Sequence, residues 1–145
     1  MKRNGSINQP LMSELSGLGH GDLFMICDAG FPIPKGVTRV DVALAFNIPT
    51  LKQCLKAVLD EVVVEKVYIA SEMEGLNKRG ADYLSRLFSA QKPLRVPQEK
   101  IVEMAGSVKF ILRSGELAPY SNIIMAAASG VDQYKKDFII NIPVE

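Results

Sequence analysis

The chain has 145 residues, 48% hydrophobic and 23% charged, the composition of a globular protein long enough to bury a core. A net charge of +1, 7% aromatic residues and no tryptophan argue against a basic, base-stacking nucleic-acid surface. No apolar run approaches the roughly 20 residues of a membrane span, and MKRNGSINQP lacks the apolar stretch of a secretory signal, so a soluble, cytoplasmic protein without nucleic-acid or membrane partners is expected.

In chain order, LMSELSGLG predicts a short amphipathic helix, with Leu11, Leu15 and Leu18 on one face and Gly17 or Gly19 ending it. DLFMICDA is a continuous apolar run of strand length, the pattern of a strand covered on both faces. GFPIPKG must be a loop, since its prolines and glycines cannot continue a sheet interior, and TRVDVALA predicts a second strand. A helix begins at Pro49 or Thr50 and places Leu51, Leu55, Val58 and Leu59 on one face. EKVYIASEM predicts a third strand running out into the polar stretch EMEGLNKRG, and ADYLSRLFSAQ the next helix. LRVP, QEKIVEMAGS, VKFILRSGE and SNIIMAAAS then read as strand, helix, strand and strand.

This alternation predicts a three-layer α/β/α fold with a mostly parallel mixed sheet of six strands, one of them antiparallel. The last two runs are too close for a helical crossover, which predicts that they pair antiparallel with each other. A single domain is expected over 1–145, with residues 131–145 as a C-terminal extension that the pattern does not require. The two cysteines, Cys27 and Cys54, lie in apolar patterns without metal-ligand spacing and read as reduced core residues.

In an open parallel sheet, ligands gather beyond the carboxyl ends of the strands. Asp28, Glu72, Glu74 and the segment from Arg113 to Tyr120 stand there. His20, the only histidine, lies before the first strand, and a strand of five or more residues puts it roughly 17 Å or more from Asp28. A neighbouring subunit or a folded-back loop would be needed to unite the two. Taken singly, each candidate has a plain structural alternative. His20 reads equally as a turn histidine, Asp28 as a turn-former, RSGE as a strand end with Arg113 salt-bridged to Glu116 or a neighbouring chain, and PYSN as a turn. No phosphate-binding glycine loop and no credible metal-ligand cluster occurs.

Taken together, GLGHGD, CDAGFPIPKGVTRVDVAL and ILRSGELAPYSNIIM, in this order and at these separations, closely resemble the ribose pyranase family, which is related to the fucose mutarotases. The resemblance covers roughly residues 1 to 130. It implies a cofactor-independent mutarotase that interconverts pyranose and furanose rings of ribose, assembled as rings, commonly decamers of two stacked pentamers, with sites at subunit contacts. It implies His20 as the proton donor, Asp28 as a substrate-binding carboxylate, and Tyr120, Ser121 and Asn122 as further sugar contacts. Where the family usually has a histidine this chain has Gln98, which keeps hydrogen bonding but carries no proton at neutral pH. The alternatives are a mutarotase for another sugar, such as fucose, and a non-catalytic sugar-binding or regulatory subunit. Lys35, Arg39 and Arg113 are further candidates for substrate contact.

Overall fold

Helix caps and apolar runs set the framework of the computed structural model, which describes residues 1–129. The expected extension over 131–145 lies outside the described residues. Helix α1 (Gln9–Ser16) starts where the Asn8 side chain accepts the Leu11 N–H, has Pro10 in its first turn, and ends at Gly17. Strands β1 (Leu23–Cys27) and β2 (Thr38–Asp41) flank the Pro-Gly loop. Helix α2 (Leu51–Leu59) opens with a capping box: Thr50 Oγ1 accepts from the Gln53 backbone while Gln53 Oε1 accepts from that of Thr50. Strand β3 (Val64–Ala70) leads into the turn α3 (Met73–Leu76) and into α4 (Lys78–Leu87), whose cap is the Asn77 side chain. Strand β4 (Leu94–Val96), helix α5 (Gln98–Ala105), and strands β5 (Phe110–Arg113) and β6 (Ile123–Ala127) complete the order.

The six strands form one sheet in the order β2-β5-β1-β6-β3-β4. As expected, the fold is a three-layer α/β arrangement in which one strand, β6, runs against the rest and pairs antiparallel with β1 and β3. The other pairings, β2 with β5, β5 with β1, and β3 with β4, are parallel. Phe24 to Cys27 on β1 and all of β6 are buried, which is why their sequences are apolar without alternation. The rings of Phe24 and Phe110 stack at 5.6 Å between β1 and β5. Cys27 and Cys54 are free and buried among these side chains, and burial pushes both thiols up to about 12.

Three expectations need correction. Strands β5 and β6 do not pair, because β1 lies between them. The connection crosses the carboxyl end of β1, where the Ser114 N–H (3.0 Å) and hydroxyl (2.7 Å) both donate to the carbonyl of Cys27. The second strand stops at Asp41 rather than running through VDVALA. Its continuation is a projecting loop closed by an Ala45–Ile48 bridge, which leaves Leu44 82% and Phe46 80% exposed. The polar stretch EMEGLNKRG is also helical in large part, since Asn77 starts α4 earlier than the apolar spacing suggests.

Gly115 threads this loop, donating its N–H to the carbonyl of Pro49 (2.8 Å) and accepting the N–H of Asn47 (2.7 Å). A Cβ on Gly115 would lie 2.5 Å from the backbone oxygens of Ala45 and Ile48. Gly115→Ala is therefore expected to lower stability by about 1–3 kcal/mol, the scale of overpacking against atoms that cannot step aside. Denaturant unfolding of the variant against the parent chain measures it.

Candidate functional site

The topology gathers one end of the sheet. Because β6 is antiparallel, its first residues meet the last of β1 and β3, with Ile26 and Ile69 both opposite Ile123. Residues 28–32, 72–77, 98 and 116–122 thus converge beyond the same strand ends. They enclose a cavity of about 580 Å³, lined by Asp28, Gly30, Phe31, Pro32, Leu76, Gln98, Glu116, Leu117, Pro119, Tyr120 and Asn122.

Asp28 and Asn122 clasp each other. The Asp28 N–H donates to Asn122 Oδ1 (3.0 Å), and Asn122 Nδ2 donates to Asp28 Oδ2 (3.1 Å). The other carboxylate oxygen of Asp28 accepts the Gly30 N–H at 3.1 Å. Burial raises the Asp28 carboxyl above the usual aspartate value, opposed by the Gly30 N–H and the Asn122 amide. Asn122 is itself buried. Tyr120 sits at φ 57°, with its carbonyl accepting the Asn122 N–H at 2.8 Å, and this tight turn presents the Tyr120 side chain to the cavity.

Gln98 begins α5, and its N–H donates to both oxygens of Glu72, at 2.9 and 3.1 Å. Its side-chain Oε1 is buried and has no hydrogen-bond partner, an arrangement that costs free energy until a donor reaches it. An acceptor carboxylate, an orphan amide oxygen and a tyrosine around one cavity suit a small ligand rich in hydroxyls.

Not every expected residue joins them. Ser121 turns its hydroxyl away, accepting from Asn77 Nδ2 at 3.1 Å and lining an adjacent cavity of about 320 Å³ with Lys52, Arg79 and Tyr83. Arg113 does not pair with Glu116. Its guanidinium bonds the Asp41 carboxylate (3.1 Å) and the Ala29 carbonyl (2.9 Å), because the parallel register sets Asp41 beside Arg113. Neither Arg113 nor Arg39 nor Lys35 lines the cavity, and Arg39 lies 3.8 Å from Asp41. Glu72 is taken up by the Gln98 N–H, and Glu74 pairs with Arg95 and Lys78.

The reading of the sequence included Glu116 in its candidate segment only as a partner for Arg113; its carboxylate instead accepts the N–H groups of Leu51 (3.2 Å) and Ala118 (3.0 Å) and so fixes the cavity wall to the start of α2. The sequence reading missed the apolar rim of Phe31, Leu76 and Leu117; the aromatic residue inside the Pro-Gly loop was the available signal. His20 lies at the opposite end of β1, as its place in the sequence required. Its Nδ1 accepts the Ser129 N–H at 3.0 Å, and its Nε2 is 3.8 Å from Glu65 Oε1.

A family model described as the RbsD / FucU transport protein family matches residues 1–131. The chain is 43% identical over 133 residues to a protein of Rubrobacter xylanophilus named D-ribose pyranase 2, spanning 91% of this chain and 85% of that one. It is 35% identical to the D-ribose pyranase of Bacillus subtilis, over 88% and 97% of the two chains. The solved structure of Bacillus subtilis RbsD complexed with D-ribose superposes with a TM-score of 0.84 at 35% identity, covering 88% of this chain and 98% of that one. The fucose mutarotase of Streptococcus pneumoniae, solved with L-fucose, shares the fold at a TM-score of 0.73 and 18% identity, over 88% and 98% of the two chains.

The mutual clasp generates a prediction. Asn122→Ala leaves the Asp28 N–H without its acceptor and takes one donor from the carboxylate, so stability should fall by about 1–3 kcal/mol. The Asp28 carboxyl should move further up, since the Asn122 bond holds it down. Denaturant unfolding and carboxyl ¹³C titration by NMR measure the two effects.

Proposed function

The chain belongs to the RbsD / FucU family, and from that premise we propose that it is a mutarotase interconverting the pyranose and furanose forms of D-ribose. The observation that carries this reading is the Asp28–Asn122 clasp in a cavity that Gln98 also lines, with the Gln98 side-chain oxygen buried and without a partner. A ligand with several adjacent hydroxyls can donate to Asp28 and Gln98 together. Bonds to an ionised acceptor are the stronger kind, which assigns Asp28 the main hold on the sugar, with Tyr120 and Asn122 completing the contacts.

Changing ring size means opening one hemiacetal and closing another. A proton leaves the anomeric hydroxyl, the bond from C1 to the ring oxygen breaks, and the ring oxygen takes a proton; closure through a different hydroxyl runs the steps backwards. Proton transfer alone balances this sequence. An imidazole gives and takes protons near neutral pH, and a positioned acid–base contributes about 10²–10⁴-fold. His20 is the group we assign to this step.

Within one chain, β1 holds His20 and Asp28 apart. We therefore place the working site between copies, with His20 of one chain at the Asp28 cavity of another, in a cytoplasmic ring assembly, a decamer of two pentamers. Two observations support association here. The cavity rim is apolar and open, with Leu76 65% and Leu117 50% exposed, and Leu44 and Phe46 project from the loop after β2. Gln98 keeps a second reading in view, a sugar other than ribose, because an amide and an imidazole differ in what they donate and accept.

His20→Ala should fold and assemble but lose most pyranose–furanose exchange, read by magnetisation-transfer NMR on ribose. Asp28→Asn should weaken ribose binding. Oligomers formed from equal amounts of the two variants should regain activity in roughly a quarter of their sites, since a shared contact pairs His20 from one variant with Asp28 from the other. Mixtures as inactive as their components would place the whole site within one chain.

Gln98→His should change the ratio of exchange rates for ribose and fucose several-fold, as hydrogen-bonding sites discriminate strongly between hydroxyl patterns. Equal ratios would mean that Gln98 does not meet the sugar.

A further inference from the structure

His20 is held from both sides. On one side the Ser129 backbone N–H donates to Nδ1 at 3.0 Å, so Nδ1 is an acceptor and the neutral ring carries its proton on Nε2. On the other side Nε2 faces Glu65 Oε1 at 3.8 Å, the reach of an ion pair. The Glu65 side chain is only 18% exposed while His20 is 58% exposed. Among the described residues, His20 is the one ion-pair partner of Glu65. The other charged groups nearby are engaged or turned to solvent. Asp22 accepts the Gly19 N–H and lies 3.8 Å from Lys109, and Lys66 is exposed.

The backbone shows how Glu65 comes to face the ring. In the β3–β6 ladder Val64 pairs with Ala127 and Lys66 with Ala126, so Glu65 is the extra residue of a bulge. Bulges re-aim side chains, and this one lies on the strand next to β6, just beyond which Ser129 bonds the imidazole.

We propose that Glu65 is the positioning residue for His20, fixing the proton on Nε2 and making Nδ1 the atom that exchanges protons with the sugar. The proposal rests on the reading of His20 as the acid–base. In the step, Nδ1 takes the proton of the anomeric hydroxyl as the carbonyl forms at C1. The bond to the ring oxygen breaks with its electron pair staying on that oxygen, which then recovers the proton from Nδ1–H. The transient imidazolium is stabilised through Nε2–H by the Glu65 carboxylate, as a buried carboxylate does for histidine in the serine-protease triad. The Ser129 N–H occupies Nδ1 until a sugar hydroxyl takes its place.

Because His20 is the only histidine, ¹⁵N NMR of the labelled protein reads its tautomer without ambiguity. The neutral ring should show the proton on Nε2. With ribose bound, when a sugar hydroxyl has replaced the Ser129 N–H at Nδ1, Glu65→Ala should mix the tautomers. It should lower kcat for ribose exchange by about 10–100-fold with KM unchanged, a share of what a positioned acid–base supplies. Glu65→Gln, which keeps an acceptor oxygen without the charge, should restore the tautomer and part of kcat. A proton on Nδ1 in the parent protein overturns the proposal. So does Glu65→Ala with an unchanged tautomer when ribose is bound, or with kcat within about twofold of the parent. Full exchange by His20→Ala would instead remove the reading of His20 itself, an outcome separate from either result at Glu65.

Discussion

The structure turns on a single acceptor, the backbone carbonyl of Cys27, at which Ser114 places both its N–H and its hydroxyl. That pair of hydrogen bonds carries the chain across the end of β1 instead of letting β5 hairpin back on itself. Each residue after the crossing then has a fixed task. Gly115 passes through the loop that follows β2, Glu116 ties to the start of α2 and accepts the Ala29 N–H, and Asn122 arrives beside Asp28. The burial of Ser114 makes the arrangement hard to exchange, since a buried hydroxyl and carbonyl separated from each other would each lose a partner with no water to replace it.

Much of the fold was legible because it is local. The uninterrupted apolar runs at Leu23–Cys27 and Ile123–Ala127 say that both faces are covered, and Thr50 three residues before Gln53 is a helix start that needs no tertiary information. The order of strands was not legible, because proximity in sequence favours pairing β5 with β6 and only the Ser114 crossing, a contact 87 residues long, sets β1 between them. Arg113 shows the same limit. Glu116 is its neighbour in sequence, but the parallel register with β2 provides Asp41.

The site was legible unevenly for similar reasons. Asp28, Gln98, Tyr120 and Asn122, singled out in the sequence as sugar contacts, line one cavity, while the Ser121 hydroxyl faces the next cavity. The tight turn at Tyr120, whose carbonyl accepts the Asn122 N–H, brings Tyr120 and Asn122 to one cavity while the Ser121 hydroxyl meets Asn77. The role of Glu116 was passed over because its carboxylate acts on backbone N–H groups, which leave no pattern in a sequence. Glu65 was invisible for a different reason: strict alternation does not anticipate a bulge, and it is the bulge that sets this carboxylate opposite His20.

The placement of His20 and Asp28 at opposite ends of β1 gives each molecule a head and a tail. Joining the head of one copy to the tail of the next is a heterologous contact, which leaves an unused head and tail at the ends of any open chain of copies. Such growth stops only when the turn between successive copies divides a full circle, and otherwise continues as a fibre. Ring closure in such an assembly would then be a condition of full catalytic occupancy, for an open pentamer would carry four complete sites and two idle halves, roughly a fifth of its capacity lost. Selection on the angle between copies, a property no single residue owns, would be selection on activity.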